Sequence, residues 1–217
     1  MKIAIIGTGR MGAGLLKTLY PVFKNELLFA GRDPVNTQMV IDHLAIPLYA
    51  INEWEAFEAN VIIHTLWYRD VIPWVIRNRE ALKGKILIDI ANPFNDTFDD
   101  LVLPYGFSAA EEIQKLLPET TVAGAFKNTF WTVFDAPVLQ GIKSDVFLTA
   151  DDPNVRQMLI SAFSILPFRF LDAGPIANNR TIERMTLLSS YLGKKAGSYP
   201  NIAYNLWGLP HNLLPNG

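Results

Sequence analysis

The chain has 217 residues, of which 50% are hydrophobic and 18% charged, with a formal charge of −2. This composition supports one large domain, or one domain with a small appendix, and argues against disorder. The near-neutral charge excludes the basic footprint of a nucleic-acid surface, and the absence of cysteine excludes disulfides, thiolate metal sites and a cysteine nucleophile.

After Met1-Lys2, Ile3 to Ile6 is an apolar run that stops at Gly7, too short for the core of a signal peptide. No stretch approaches the ~20 apolar residues of a membrane span, so no membrane partner and a cytoplasmic location are expected. Lys2–Ile6 reads as the first strand. A helix from about Arg10 to Phe23 follows, with Met11, Leu15, Leu19 and Val22 at helical spacing. Leu27–Ala30 is a second strand. Asp33-Pro34 reads as an N-cap with proline at the first helical position, opening a helix to about Leu44. Ile46–Ala50 is predicted as a weak third strand. Asn60–His64 and Lys85–Ile90 are continuous apolar strands of the kind buried on both faces, and Tyr68–Arg79 between them is helical.

Ala91 to Leu103 is a loop rich in Asn, Asp and Pro. Ser108 and Glu111 have capping-box spacing before a helix to about Leu117. Thr121–Ala125 and Asp145–Thr149 are the sixth and seventh strands. Asp152-Pro153 opens a helix to about Leu166, and Arg169–Asp172 is the eighth strand. Beyond Gly174-Pro175 no strand is predicted. Ile182, Met185, Leu188 and Leu192 form one helical stripe that reads as core packing, and the tail from Ser198, with Pro200, Pro210 and Pro215, reads as irregular. Alternating strands and helices imply an α/β Rossmann-type, doubly wound, mainly parallel sheet of about eight strands. Residues 1–174 form this domain, and 175–217 form a small helical C-terminal appendage.

Gly7-Thr8-Gly9-Arg10-Met11-Gly12 follows a strand directly, opens a helix and precedes a second strand, which is the context of a dinucleotide-binding loop. Gly7 allows the tight turn, Gly9 lets the backbone approach a pyrophosphate, and Gly12 lets helix and strand pack closely. The helix N-terminus offers free N–H groups to the phosphates. An NAD site holds an acidic residue at the end of the second strand. Here Ala30 and Gly31 are not acidic, Arg32 stands where a guanidinium can pair with a 2′-phosphate, and Asp33 caps the next helix. NADP is the expected cofactor, with NAD possible. Ligands of such sheets lie beyond the carboxyl ends of the strands, which nominates Thr65-Leu66-Trp67, Asn92-Pro93, and Ala125 to Asn128 for the nicotinamide side.

With these residues assembled, the chain resembles the NADPH-dependent coenzyme F420 reductase family, to which cytoplasmic domains of the six-transmembrane metalloreductases are related. Three stretches carry the resemblance. They are Gly7–Gly12 with Gly31-Arg32, Val122–Ala125 with Phe126 to Thr129, and Leu171-Asp172-Ala173-Gly174-Pro175 followed by Asn178-Asn179-Arg180 and Glu183. The resemblance implies hydride transfer between NADP(H) and a planar, flavin-like small molecule, coenzyme F420 or a flavin, by a homodimer. It assigns Gly7–Gly12 to pyrophosphate, Arg32 to the 2′-phosphate, and the segments at Thr65 and Ala125 to the nicotinamide. Gly31, Asp33 and Lys127 depart from its usual residues.

Hydride transfer between cofactors needs orientation and a dry interface more than side-chain chemistry, so no catalytic acid, base or nucleophile is assigned. Nothing resembles a Ser/His/Asp set or a metal cluster. His43 lies on a helix, His211 in the tail, and His64 reads as a hydrogen-bonded core histidine. Lys127 reads as a solvated loop lysine, with donation to a substrate oxygen as the alternative. Asn128, Trp131, Asn179 and Trp207 are further candidates for the acceptor side. Asn179 and Arg180 would face the acceptor, cap the last helix or pair with Glu183. Trp131, Tyr204 and Trp207 would form an aromatic wall or a dimer contact. Two other functions stay open: a pyrroline-5-carboxylate reductase-like imine reductase and a non-catalytic NADP(H)-binding sensor.

Overall fold

The computed structural model describes residues 1–209; the expectations for Pro210, His211 and Pro215 lie outside the described residues. Eight strands run β1 (Ile3–Ile6), β2 (Leu27–Ala30), β3 (Val61–His64), β4 (Ile86–Asp89), β5 (Thr121–Gly124), β6 (Val138–Leu139), β7 (Ile142–Ala150) and β8 (Phe168–Asp172). Helices are α1 (Arg10–Phe23), α2 (Pro34–His43), α3 (Glu53–Ala56), α4 (Tyr68–Arg77), α5 (Arg79–Leu82), α6 (Ala109–Leu116), α7 (Pro153–Phe163) and α8 (Asn179–Ala196). The sheet order is β2-β1-β3-β4-β5-β7-β6, with β8 paired to β7. β1 to β5 are mutually parallel, and β7 runs antiparallel to β5. Among the described residues no helix is long and apolar enough to cross a membrane.

The continuous apolar strands are explained by two cores. Ile3, Ile5, Ile63 and Ile88 face one side with Leu15, Leu19 and Leu159, while Ala4, Ile6, Ile62 and Leu87 face the other with Val71, Val75 and Ile113. Side chains alternate along a strand, so a sheet sandwiched by helices needs apolar residues at every position. The Asp33 carboxylate accepts from Val35 N at 2.9 Å and caps α2, as its place before Pro34 predicts.

Two expectations are corrected, and two elements appear that the sequence did not signal. Ile46–Ala50 is not a strand; only an isolated bridge joins Ala30 and Ile51. Pro47 has no N–H to offer a ladder, and Ala50 N donates to the Gln38 side chain instead. A hairpin precedes the seventh predicted strand, turning at Gln140 and Gly141, both with positive φ, as a two-residue loop matched to strand twist requires. The short α3 is held by a capping box between Asn52 and Glu55. Finally, the α8 stripe is only partly core: Ile182 is buried, but Leu188 is 58% and Leu192 53% exposed. The inward face of α8 is instead Asn179, Glu183, Thr186, Ser190 and Gly193. Glu183 is turned inward by charges described below, and the helix rotates with it.

The tail is stitched to the sheet by a buried ion pair. Arg169 Nε lies 2.6 Å from Asp145 Oδ1 and Arg169 Nη2 2.7 Å from Oδ2. The same guanidinium reaches the Leu206 and Leu209 carbonyls, and Asp145 Oδ2 accepts from Leu206 N at 2.6 Å. Removing one partner strands a buried charge, at a cost of about 3–5 kcal/mol. Arg169→Met is therefore expected to lower the urea midpoint by that equivalent without changing the unfolding slope, and a loss under about 1 kcal/mol, the range of an exposed pair, would contradict the assignment.

Candidate functional site

Sheet register brings the nominated segments together. Ala30, Ile6, His64, Asp89 and Gly124 form one row across β2, β1, β3, β4 and β5. Each ends its strand, so the glycine loop, Gly31-Arg32, Thr65 to Trp67, Ile90 to Asn92, and Ala125 to Lys127 all leave from one edge. The chain goes from β1 to β2 on one side and to β3 on the other, and the glycine loop sits at that switch point.

The loop's geometry is dictated by close approach. Gly7 has φ +115°, in the region favoured by glycine. A Cβ on Gly7 would strike Thr65 Oγ1, and one on Gly12 would strike the Gly7 carbonyl. Thr65 fastens the turn: its N donates to Ile6 O at 2.8 Å and its Oγ1 to Gly7 O at 3.1 Å. A Cβ on Gly9, by contrast, would meet nothing within 4 Å. The backbone there faces open space, at the head of a helix whose N-cap supplies no side-chain acceptor and whose first turn holds no acid. That arrangement suits an anionic ligand.

At the end of β2, Gly31 is buried against Thr8 and Thr37, while Arg32 is exposed. Asp33 is occupied, with Oδ1 accepting from Val35 N and Oδ2 from Asn36 Nδ2 at 2.6 Å. The only carboxylate near Arg32 in sequence is therefore spent on the cap of α2, and no acid at the end of β2 awaits a ribose hydroxyl.

A cavity of about 460 Å³ opens in front of this edge. Gly9, Arg10, Met11, Thr65, Leu66 and Trp67 line one part, and Asn92 and Lys127 lie at its floor. Its walls are aromatic. Trp67 meets Phe98 edge-on at 5.7 Å, and Phe94 lies 5.8 Å from Phe98. A second aromatic group in the lining is formed by Tyr199 with Phe130 and Trp131. Thr186, Ser190 and Lys194 of α8 complete the lining. The exposed-loop residues Phe94 and Phe98, and Tyr199 in the tail, carried no motif in the sequence. Only their aromatic character in an otherwise polar stretch marked them.

The floor is a sealed ion cluster. Lys127 is 1% exposed, which corrects its reading as a solvated lysine. Its Nζ lies 2.6 Å from Asp89 Oδ2 and 3.0 Å from Glu183 Oε1, and it donates to the Ala91 carbonyl. Nζ donates to Glu183 and Ala91, while Asp89 Oδ2 sits close as a counter-charge off the line of an ideal hydrogen bond, so the ammonium is held and neutralised within the floor. His64, fully buried on the neighbouring strand, approaches Asp89 Oδ1 to 2.9 Å, off the line of an ideal hydrogen bond. Glu183 also accepts from Ala109 N at 3.0 Å, at the head of α6. Phe126 turns the chain into this position with φ +55°, a strain of about 1–3 kcal/mol for a non-glycine residue. Phe134, Phe168 and Phe170 enclose its ring and hold it there.

Burial opposes ionisation of Asp89, but Lys127 and His64 outweigh it and hold its pKa at about 2. Burial likewise opposes the Lys127 charge, and the two carboxylates more than restore it, raising its pKa. For Glu183 burial wins, reinforced by Asp89, and its pKa rises to about 7 despite Lys127. Lys127 and Asp89 are thus the permanent pair, and Glu183 is the member whose charge changes near neutrality.

Other nominated residues fall outside the cavity. Asn128 is buried and donates to Asp145 O at 2.7 Å. Asn179 is buried and donates to Thr149 Oγ1 and Ile176 O. Arg180 pairs with Glu111, not with Glu183. Tyr204 donates to Met185 O, and Trp207 is 77% exposed. Neither lines the cavity, so of the expected aromatic wall only Trp131 does, with Tyr199 in place of the other two. Ala125 is fully buried behind it.

Residues 2–93 match the family model described as NADP oxidoreductase, coenzyme F420-dependent. The F420-dependent NADP reductase of Methanocaldococcus jannaschii is 28% identical over 204 residues, covering 87% of this chain and 90% of that protein. The metalloreductase STEAP3 of Rattus norvegicus is 25% identical over 190 residues, which are 86% of this chain but 36% of that protein. Among solved structures, an Arthrobacter sp. FB24 protein described as a candidate F420-dependent NADP reductase superposes with a TM-score of 0.79 at 21% identity, covering 91% of this chain and 96% of that one. This last likeness is one of fold.

Glu183 gives a pH signature. Its folded pKa of about 7 lies above its ordinary value of 4.5, so the folded state binds this proton more tightly. Its contribution to stability is full below pH ~4.5 and is lost as pH rises through about 7. Glu183→Gln, which keeps an acceptor for Lys127 and Ala109, is expected to flatten the decline in unfolding free energy between those pH values. A variant with the wild-type slope would show that Glu183 ionises normally.

Proposed function

We propose that this chain, a member of the coenzyme F420-dependent NADP oxidoreductase family, moves a hydride between NADP(H) and a planar deazaflavin or flavin. The observation that carries this reading is one cavity lined both by Gly9, Arg10 and Met11 of the glycine loop and by the aromatic residues Trp67, Phe98, Trp131 and Tyr199. Bound NADPH would supply the hydride, and a solvent proton would complete reduction of the acceptor ring. Gly9 to Gly12 hold the pyrophosphate, and Arg32 takes the 2′-phosphate, since no acid stands at the end of β2. Leu66, Trp67 and Asn92 border the nicotinamide, while Trp67, Phe98, Trp131 and Tyr199 line the space for the second ring. Flat apolar walls exclude water and favour stacked rings. Lys127 fixes the floor and transfers no proton.

The protein acts as a homodimer on this reading. Leu188, Tyr191 and Leu192 form an exposed apolar strip on α8, outward because the polar face of the helix is turned in. Leu188→Lys is expected to shift the sedimentation coefficient from dimer to monomer. A wild-type protein that sediments as a monomer at all concentrations would remove this part of the proposal.

The cofactor assignment is tested at Arg32. Charge-assisted bonds to a phosphate contribute about 1.5–3 kcal/mol, so Arg32→Ala should lower the NADPH-over-NADH preference in kcat/KM by about 10- to 100-fold, mainly through KM for NADPH. Wild-type protein that prefers NADH, or a variant with unaltered preference, would contradict it. The hydride reading itself is tested by NADPH-dependent bleaching of coenzyme F420. Tight NADPH binding without oxidation by any ring acceptor would point to the sensor.

A further inference from the structure

The lip of the cavity carries two cationic side chains, Arg10 and Lys194. The Arg10 guanidinium lies 3.8 Å from the centroid of the Trp131 ring. Trp131 meets Tyr199 edge-on at 5.8 Å, and Lys194 Nζ lies 5.6 Å from the Tyr199 ring. All four residues line the cavity, so two cations flank two aromatic rings along one rim. Stacking orients the guanidinium face-on and leaves its in-plane N–H groups available.

Neither cation is neutralised at close range. Among the described residues Arg10 makes no hydrogen bond or ion pair, and Lys194 reaches only the Phe98 carbonyl, at 3.5 Å. No carboxylate lines the cavity. Asp99, on the exposed loop, senses Lys194, but its carboxylate is already bonded to Asn95 and Thr97. The third lining cation, Lys127, is neutralised in the floor by Asp89 and Glu183. The pyrophosphate of a dinucleotide is served by the backbone amides of the glycine loop, whereas Arg10 is stacked on a ring of the segment after β5, beside the aromatic walls. Unmatched cations beside an apolar cleft favour an anionic ligand.

We propose that Arg10 and Lys194 form an anion-docking rim that selects acceptors whose planar ring carries a phosphorylated side chain. The inference rests on the hydride-transfer reading and narrows its substrate class: the ring enters between the aromatic walls, and the phosphate stays at the lip. Uncharged cyclic imines and bare ring systems lack the group this rim would hold.

The test compares acceptors that differ only in the tail: FMN against riboflavin, and coenzyme F420 against its deazaflavin core without phosphate. Wild-type kcat/KM should favour the phosphorylated member of each pair by ~10-fold or more, as one charge-assisted contact implies. The preference should shrink as salt rises. Lys194→Met and Arg10→Met should each reduce it toward one through KM for the phosphorylated acceptor, and melting temperatures would verify that both variants fold. NADPH affinity is measured on the same proteins by fluorescence titration. Equal use of phosphorylated and bare rings by the wild type would overturn the rim while leaving hydride transfer intact. So would variants that keep the preference, or a Lys194→Met that loses NADPH affinity in its place; Arg10, which belongs to the glycine loop, is judged by the ratio between the two acceptors alone. If no ring in the panel is reduced, the hydride reading fails, and the rim falls with it.

Discussion

The buried charge of Lys127 is the constraint on which the site is built. A buried ammonium must find oxygens, and two separate parts of the chain supply three: Asp89 at the end of β4 with the Ala91 carbonyl just beyond, and Glu183 on α8. Glu183 in turn caps α6 through Ala109. The backbone of Lys127 is used as well, with its carbonyl accepting from Asn92 and Thr186. One residue thereby joins the edge of the parallel sheet, the loop after β5 and the C-terminal helix. Breaking such a pair leaves an uncompensated charge, so the floor of the cavity is rigid.

This constraint reaches the surface. α8 cannot bury its whole apolar stripe while it also delivers Glu183 to Lys127, so apart from Ile182 its inward face is polar or small, and Leu188 and Leu192 point out. Gly193 is part of the same adjustment, because a Cβ there would collide with Ile202 of the tail. The tail, held by Arg169 and Asp145, then presents Tyr199 to Trp131 and closes the aromatic side of the cavity. The C-terminal segment is thus a wall of the site and a scaffold for its floor.

Most of the fold was legible in the sequence because it obeys local rules. The bounds of α1 and the cap at Asp33 depend on neighbours within one turn of chain, and the turn at Gly7 is marked by its glycines although Thr65 fastens it from afar. The register row from Ala30 to Gly124 follows from β-α-β alternation. Ile46–Ala50 misled because its apolar content was read without Pro47 and without Gln38, a distant competitor for its amide. Lys127 misled more deeply. Next to asparagine and threonine it resembles a loop lysine, and only tertiary structure brings Asp89 and Glu183 to it. The α8 stripe misled for the same reason, since helical periodicity cannot say which face a buried charge will claim. The cavity's cofactor end was readable from motif and spacing. Its aromatic and cationic rim, gathered from five segments of chain, was not.

The site therefore joins a glycine turn at an uncapped helix head, an exposed arginine whose neighbouring carboxylate is spent on a cap, a buried ion cluster as floor and a cavity with aromatic walls. These features favour direct passage of hydride between two bound rings over any route through a side chain. The most direct test follows the hydrogen itself. NADPH deuterated at the transferable position of the nicotinamide is mixed with the enzyme and oxidised coenzyme F420 in ordinary water, and the reduced acceptor is examined by mass spectrometry and NMR. Direct transfer predicts one deuterium on the ring carbon that accepts the hydride. A reduced acceptor without deuterium, or deuterium released to water during turnover, would contradict the account.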